Sequence, residues 1–287
     1  MHTVKDAPRV KVAQSFEVPS VPVVLMKILQ LVDDDRASAR RLEELILHDP
    51  SLSARILKLA NSAFYCFRCE VKTISHAIAL LGLNLVKSLA IGVSIFESFM
   101  KGMRDESAHI TQLWMHSFGV GMISQDVVLR RANKTEGEFA FLCGLLHDLG
   151  QVVFFKQDPR GYHQLFAADK SENGASLSAR EMEQYGVTHC TLGSMLARKW
   201  GLPPELATVA RYHHDPLDCN SAIASAVAIA DSAVRVAGIG YDGDSLPTPS
   251  LAKIQEQIQM SAEDYERLCV QAGEKKKDVE DFFLVAF

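Results

Sequence analysis

Positive charge is not in excess in this chain of 287 residues: 30 Lys and Arg stand against 35 Asp and Glu, a formal charge of -5. With no positive field to neutralise phosphates, DNA and RNA are excluded as expected partners. The one dense basic run, Lys275–Lys277, is short enough to read as a solvated helix face. No uninterrupted apolar run reaches the roughly twenty residues of a membrane span. The longest apolar stretches, 85–99 and 221–240, contain Lys87 and Glu97, and Asp231 and Arg235, so both read as core helices. The opening segment MHTVKDAPRVKVAQ lacks the apolar stretch of a secretory signal, so the expected setting is cytoplasmic, with no membrane partner. Among six cysteines only Cys66 and Cys69 form a CxxC pair, too few for a four-thiolate zinc site, and reduced thiols are expected. A Gly-rich phosphate loop ending in GK[ST], a GxSxG elbow and a fixed-period repeat are all missing.

Alternating apolar and polar residues, the mark of strands, are nearly absent as well, and helical periodicity runs throughout. The expected fold is all-α. Helices are expected at 22–32, 39–48, 51–61, 73–81 and from about Asn84, read as a cap, to Met100. The polar segment KGMRDESA (101–108) reads as a boundary. Beyond it, helices are expected at 109–131, 135–156, 159–169, 178–185, 189–199, 203–213 and 220–237. The Gly/Pro/Ser/Asp segment 238–250 reads as a linker, followed by helices at 251–260 and 262–284.

Seven residues carry the chemistry. They are His116 in LWMHS, His147 and Asp148 in LLHDLG, His189 in VTHCTLG, His213 and His214 in RYHHDP, and Asp231 in AIADS. A single His on an apolar helix face is ordinarily a core residue. An Asp flanked by Ala, Ile and Val is harder to dismiss, because a buried carboxylate is costly without a cation or donors. Two such Asp and several His offset one another best by sharing a metal. Imidazole with carboxylate suits Fe, Mn, Zn, Co or Ni. Neighbours in sequence lie about 100° apart on a helix, so the adjacent pairs His147-Asp148 and His213-His214 point to a site large enough for two divalent ions. Cys143 and Cys190 lie near this set and read as small buried thiols.

These motifs resemble the HD superfamily of metal-dependent phosphohydrolases, and residues 15–235 resemble its HDOD branch. The resemblance rests on LHDPSLSARILKLANSAFY (47–65), ISHAIALLGLNLVKSLAI (74–91), LWMHS, CGLLHDLGQVVF, the pattern H-x3-G-x6-W-G-L-P over 189–203, and the HH pair. It implies a two-lobed helical array: an N-terminal lobe (15–105), an HD-type bundle (106–240), and a linker with C-terminal helices (241–287). It also implies that one metal is held by His116, His147, Asp148 and Asp231, and a second by Asp148, His189 and one of His213 or His214. Gln151 stands where the related HD-GYP phosphodiesterases have Lys, and their Gly-Tyr-Pro segment is replaced by DPLDCNSAIAS. Both departures argue against cyclic di-GMP hydrolysis. The expected function is bacterial signalling or regulation through a protein partner, with the metal site retained. The alternative is hydrolysis of a nucleotide or related phosphoester, with Asp148 bridging two ions and Arg211 meeting phosphate, although Arg211 reads more readily as a surface salt bridge.

Overall fold

The computed structural model describes residues 19–31, 35–62, 67, 69–100, 107–167, 175–244 and 250–286. Residues 101–106 of the expected boundary, Cys66, and residues 245–249 of the expected linker lie outside them. All regular elements among the described residues are helical. Five come first: α1 (Val23–Leu29), α2 (Asp35–Leu47), α3 (Pro50–Ala60), α4 (Ile74–Leu81) and α5 (Leu83–Met100). Then follow α6 (Ser107–Leu129), α7 (Lys134–Leu146), α8 (Leu149–Gln157), α9 (Pro159–Ala167), α10 (Leu177–Tyr185), α11 (His189–Lys199), α12 (Pro204–Tyr212) and α13 (Ala222–Ala237). Last come α14 (Leu251–Gln257) and α15 (Ala262–Ala286).

Local chemistry sets many of the starts. Asp49 accepts from Ser51 and Leu52 N–H at 3.0 and 3.1 Å, with Pro50 following at the first helical position. Thr73, Asn133, Ser176, Thr188 and Ser221 cap α4, α7, α10, α11 and α13 in the same way. Asn84 does not cap α5 as expected. It lies inside the helix, and its amide donates to Glu138 of α7 at 3.0 Å.

The buried apolar side chains form one contiguous cluster from Leu25 to Phe283. Phe96 meets Trp114 edge-on at 5.5 Å, Phe99 lies 6.2 Å from Trp200, and the Trp200 indole donates to the Pro19 carbonyl. The first helices thus share a core with the later ones, and Phe283 joins α15 to Phe118 of α6. Leu83–Met100 and Lys134–Gln157 are long and apolar enough to cross a membrane by length and composition, yet 61% and 94% of their most apolar windows are buried inside the fold.

Two departures from expectation matter for function. The single helix expected over 135–156 is two helices, broken at Asp148 (φ -97°, ψ 15°). The described part of the expected linker, 238–244, is folded onto α6: Tyr241 N–H donates to the Gln112 carbonyl, and Asp242 and Asp244 are buried.

Glycines let the helices that carry the site touch backbone to backbone. A Cβ on Gly144 of α7 would lie 2.8 Å from the Gly121 backbone of α6. One on Gly150 of α8 would lie 1.9 Å from the His189 carbonyl of α11, a distance no packing tolerates. We predict that Gly150→Ala costs about 3 kcal/mol in urea denaturation, since the backbones must part. Gly273→Ala in α15, where a Cβ meets nothing within 4 Å, should instead gain about 0.5–1 kcal/mol. Equal effects would show that the close approach of α8 to α11 is not what Gly150 provides.

Candidate metal centre

Five buried stretches deliver the seven residues to one place. His116 comes from the middle of α6, His147 and Asp148 from the α7–α8 break, and His189 from the first position of α11. His213 and His214 follow the end of α12, and Asp231 comes from the middle of α13. All are buried except His214, which is partly exposed. The break explains how two neighbours can serve one centre. In a continuous helix they would diverge by about 100°. With the chain turned at Asp148, its Oδ2 lies 3.2 Å from His147 Nε2, while its Oδ1 lies 3.4 Å from both His189 Nε2 and His213 Nε2. On the His147 side, His116 Nε2 is 3.0 Å from Asp231 Oδ1. On the other side, His189 Nε2 and His214 Nε2 are 3.1 Å apart.

Three of the imidazoles are held by their other nitrogen. His147 Nδ1 donates to the Gly144 carbonyl at 2.6 Å and His213 Nδ1 to the Ala210 carbonyl at 3.1 Å. His189 gives both its backbone N–H and Nδ1–H to Glu181 Oε2, each at 2.7 Å. A carbonyl or carboxylate there fixes the tautomer and leaves Nε2 as a bare lone pair facing the centre, the usual support of a metal-bound His. Sequence reasoning missed Glu181. It sits in the polar run SAREMEQY, without the apolar flanks that marked the two Asp, and Tyr162 completes its burial with a 2.6 Å hydrogen bond.

Asp242 was also missed, because its neighbours read as a linker. Gly240 allows it to arrive: a Cβ there would lie 2.4 Å from His116 N, and its φ is +60°. Asp242 Oδ2 then stands 3.9 Å from His116 Nε2, and the Arg235 guanidinium lies 2.7 Å from both Asp231 Oδ2 and Asp242 Oδ2. Gln151 is buried and donates to the Asp242 carbonyl. Arg211 forms no surface salt bridge among the described residues. It donates to the Thr191 hydroxyl at 2.7 Å, on the wall of a polar cleft of about 420 Å³ that opens beside His214 and Cys190. Of the other expected thiols, Cys143 is buried in the core, while Cys190 Sγ lies 3.4 Å from His189 Nε2.

The electrostatics fit a cation. Burial pushes the Asp148 carboxyl up, but His147, His213 and His189 outweigh it and hold it well below the usual carboxylate range. Burial is likewise overcome at Asp231, by Arg235 first and then His116. Burial, then His213 and His189, depress His214 well below an ordinary imidazole. Burial also opposes protonation of His147 and His189. At His147 the Asp148 carboxylate prevails, and at His189 Cys190 and Glu181 do, so both are raised. At the centre, Nε2 of His116, His147 and His213, Oδ1 of Asp148, both carboxylate oxygens of Asp231, Oε1 of Gln151 and one Arg235 guanidinium nitrogen are buried without a well-aligned hydrogen bond. Asp231 Oδ2 is paired with Arg235 at 2.7 Å. The three imidazole Nε2 atoms face the Asp148 and Asp231 carboxylates at 3.0–3.4 Å, a convergence that a shared cation would complete. Four groups each bring their own ligand atoms within 4.8 Å of one another: His116/His147/Asp231, His116/Asp148/Asp242, His147/Asp148/His213, and His189/Cys190/His213/His214.

An all-α fold with a buried His/Asp centre at a helix break places the chain in the HD-like class of metal-site proteins. Residues 18–216 match the HDOD domain family, and the chain belongs to it. A solved HDOD domain protein of unknown function from Geobacter sulfurreducens superposes with a TM-score of 0.77 at 24% identity, covering 97% of this chain and 98% of that one. A candidate phosphohydrolase from Shewanella amazonensis SB2B gives 0.69 at 25% identity, over 93% and 94%. An uncharacterised Treponema pallidum protein is 26% identical over 199 residues, which span 69% of this chain and 38% of the relative's own length.

Two outcomes follow. His147 and His189 have raised proton affinities, so protons compete with a metal for their Nε2 atoms, loading should release protons, and affinity should weaken as pH falls. Calorimetry in buffers of different ionisation enthalpy reads this directly, and a pH-independent affinity would contradict the ligand assignment. Glu181→Gln should weaken metal binding by about 10–100-fold by loosening the His189 tautomer, as measured by competition with a chromogenic chelator.

Proposed function

We propose that this HDOD protein is a regulatory module built around a retained metal centre, acting by contact with a protein partner in a bacterial cytoplasmic signalling pathway. His116, His147, Asp148 and Asp231 would hold one divalent transition metal, and Asp148, His189 and one or both of His213 and His214 would hold a second. These residues come from α6, the α7–α8 break, α11, α12 and α13, so occupancy ties five parts of the fold into one arrangement. Because α7 also meets α5 through Glu138 and Asn84, that arrangement reaches the N-terminal helices.

The observation that carries this reading is the charge balance of the His116 half. Gln151, where a phosphate-binding Lys is found in the related phosphodiesterases, is buried and its amide donates to the Asp242 carbonyl. The Arg235 cation already sits against Asp231 and Asp242. In the cavity of about 490 Å³ that His116, Arg235 and Asp242 line on that side, a substrate phosphate meets no uncommitted cation.

A second reading, metal-dependent hydrolysis of a phosphoester, is favoured by the polar cleft on the other side, and similarity to a candidate phosphohydrolase agrees with it. A bound metal supplies Lewis acidity, polarising a phosphoryl oxygen and lowering the pKa of water. Arg211 would turn from Thr191 to pair with phosphate, and the Ser176, Ser178 and Thr188 hydroxyls would donate to its oxygens.

Elemental analysis of protein purified without chelators, followed by melting curves, tests the main reading. A metal at a thousandfold excess over its Kd should add about 4 kcal/mol, or roughly 8–16 °C in Tm. Asp148→Ala should abolish that shift, and mono-, di- and cyclic nucleotides should not turn over with Fe, Mn or Co. Turnover that disappears in Asp148→Ala would establish the hydrolase instead, and a chain that takes up no ion would remove both readings.

A further inference from the structure

Cys190 lies against the open half of the centre, where the ligands inferred so far are all nitrogen and carboxylate. Its thiol is buried, and Sγ lies 3.4 Å from His189 Nε2. With one nitrogen each from His189, His213 and His214 it forms a set whose four ligand atoms all fall within 4.8 Å. Two ligands of one tetrahedral ion with Zn–N and Zn–S bonds of the usual length stand roughly 3.3–3.6 Å apart. The Cys190–His189 separation falls in that range, and the 3.1 Å between His189 and His214 falls just short of it. His213 Nε2 is fully buried, aimed into the same space and without a hydrogen bond, which is independent evidence of a missing partner there. The Ser178 hydroxyl, 3.9 Å from Sγ, is placed to support a thiolate from behind.

We propose that Cys190 is a metal ligand, making the open half a three-histidine, one-thiolate site for a borderline or soft ion such as Zn, Co, Ni or Fe. This rests on the metal-centre reading above and goes beyond it by naming a donor and the ion class that donor selects. Thiolate is a poor ligand for Mg and a weak one for Mn, whereas imidazole with thiolate is well matched to Zn and Co. His189 and Cys190 occupy the first two positions of α11, held by the Thr188 cap and by Glu181, so both donors are oriented by contacts that do not depend on an ion. Asp148 Oδ1 stands at 3.4 Å from both His189 and His213, beside this set rather than within it.

Cobalt substitution tests the assignment on the full chain. Loaded protein, with cobalt quantified by elemental analysis, should show a near-ultraviolet thiolate-to-cobalt charge-transfer band. Cys190→Ser should lose the band and bind cobalt at least ~10-fold more weakly. Cys269→Ser, a substitution on α15 away from the centre, should keep it. Zinc-edge X-ray absorption of the unaltered protein provides a reading that does not require the variant to fold, and a sulfur shell at about 2.3 Å beside nitrogen at about 2.0–2.1 Å is expected. Bound cobalt without the band, a band that survives in Cys190→Ser, or a zinc shell of nitrogen and oxygen alone would overturn the thiolate assignment while leaving a metal centre. Failure of the unaltered protein to take up either ion would overturn the metal reading itself, and this assignment with it.

Discussion

One carboxylate organises the centre of this molecule. Asp148 is buried among imidazoles, with one oxygen facing His147 and the other facing His189 and His213. A carboxylate in that position is tolerated only because positive or hydrogen-bonding groups surround it. The backbone yields to the requirement. The helix that would run from Lys134 through Gln157 breaks at this residue, and the turn directs both His147 and Asp148 inward. The close contact of Gly150 with the His189 carbonyl then brings α11 against the break. Moving any one of these features moves the others.

The two halves around Asp148 differ in character. The His116 half packs against Arg235, Asp242 and the 238–244 segment and borders a cavity of about 490 Å³. The His214 half borders a polar cleft with Cys190 and Arg211 on its wall. The difference that bears on chemistry is one of charge: the Arg235 cation is committed to carboxylates, while Arg211 holds the neutral Thr191 hydroxyl and lies over the Tyr212 ring.

The fold class was legible from the chain alone because helical periodicity and caps are local. Asp49-Pro50, Thr73, Asn133, Thr188 and Ser221 mark their helix starts by side-chain chemistry that a few neighbours decide. All seven expected ligands are brought together because an Asp or His embedded in apolar sequence must be buried and must be compensated. Three supporting residues escaped notice for the opposite reason. Glu181 lies in a polar run, Asp242 in a Gly-rich segment, and Arg235 near the end of a helix, where a basic residue is unremarkable.

By itself, then, the sequence determined that the chain is all-α, that it belongs with HD-like proteins, and which residues face a common polar centre, since burial cost and motif spacing are written along the chain. Only the tertiary structure decided that the helix breaks at Asp148, that segment 238–244 packs against one half of the centre, and that Cys190 stands among the imidazoles. Those features depend on backbones meeting at Gly150, Gly144 and Gly240, between residues distant in sequence, and no local pattern encodes which distant partner a glycine will touch.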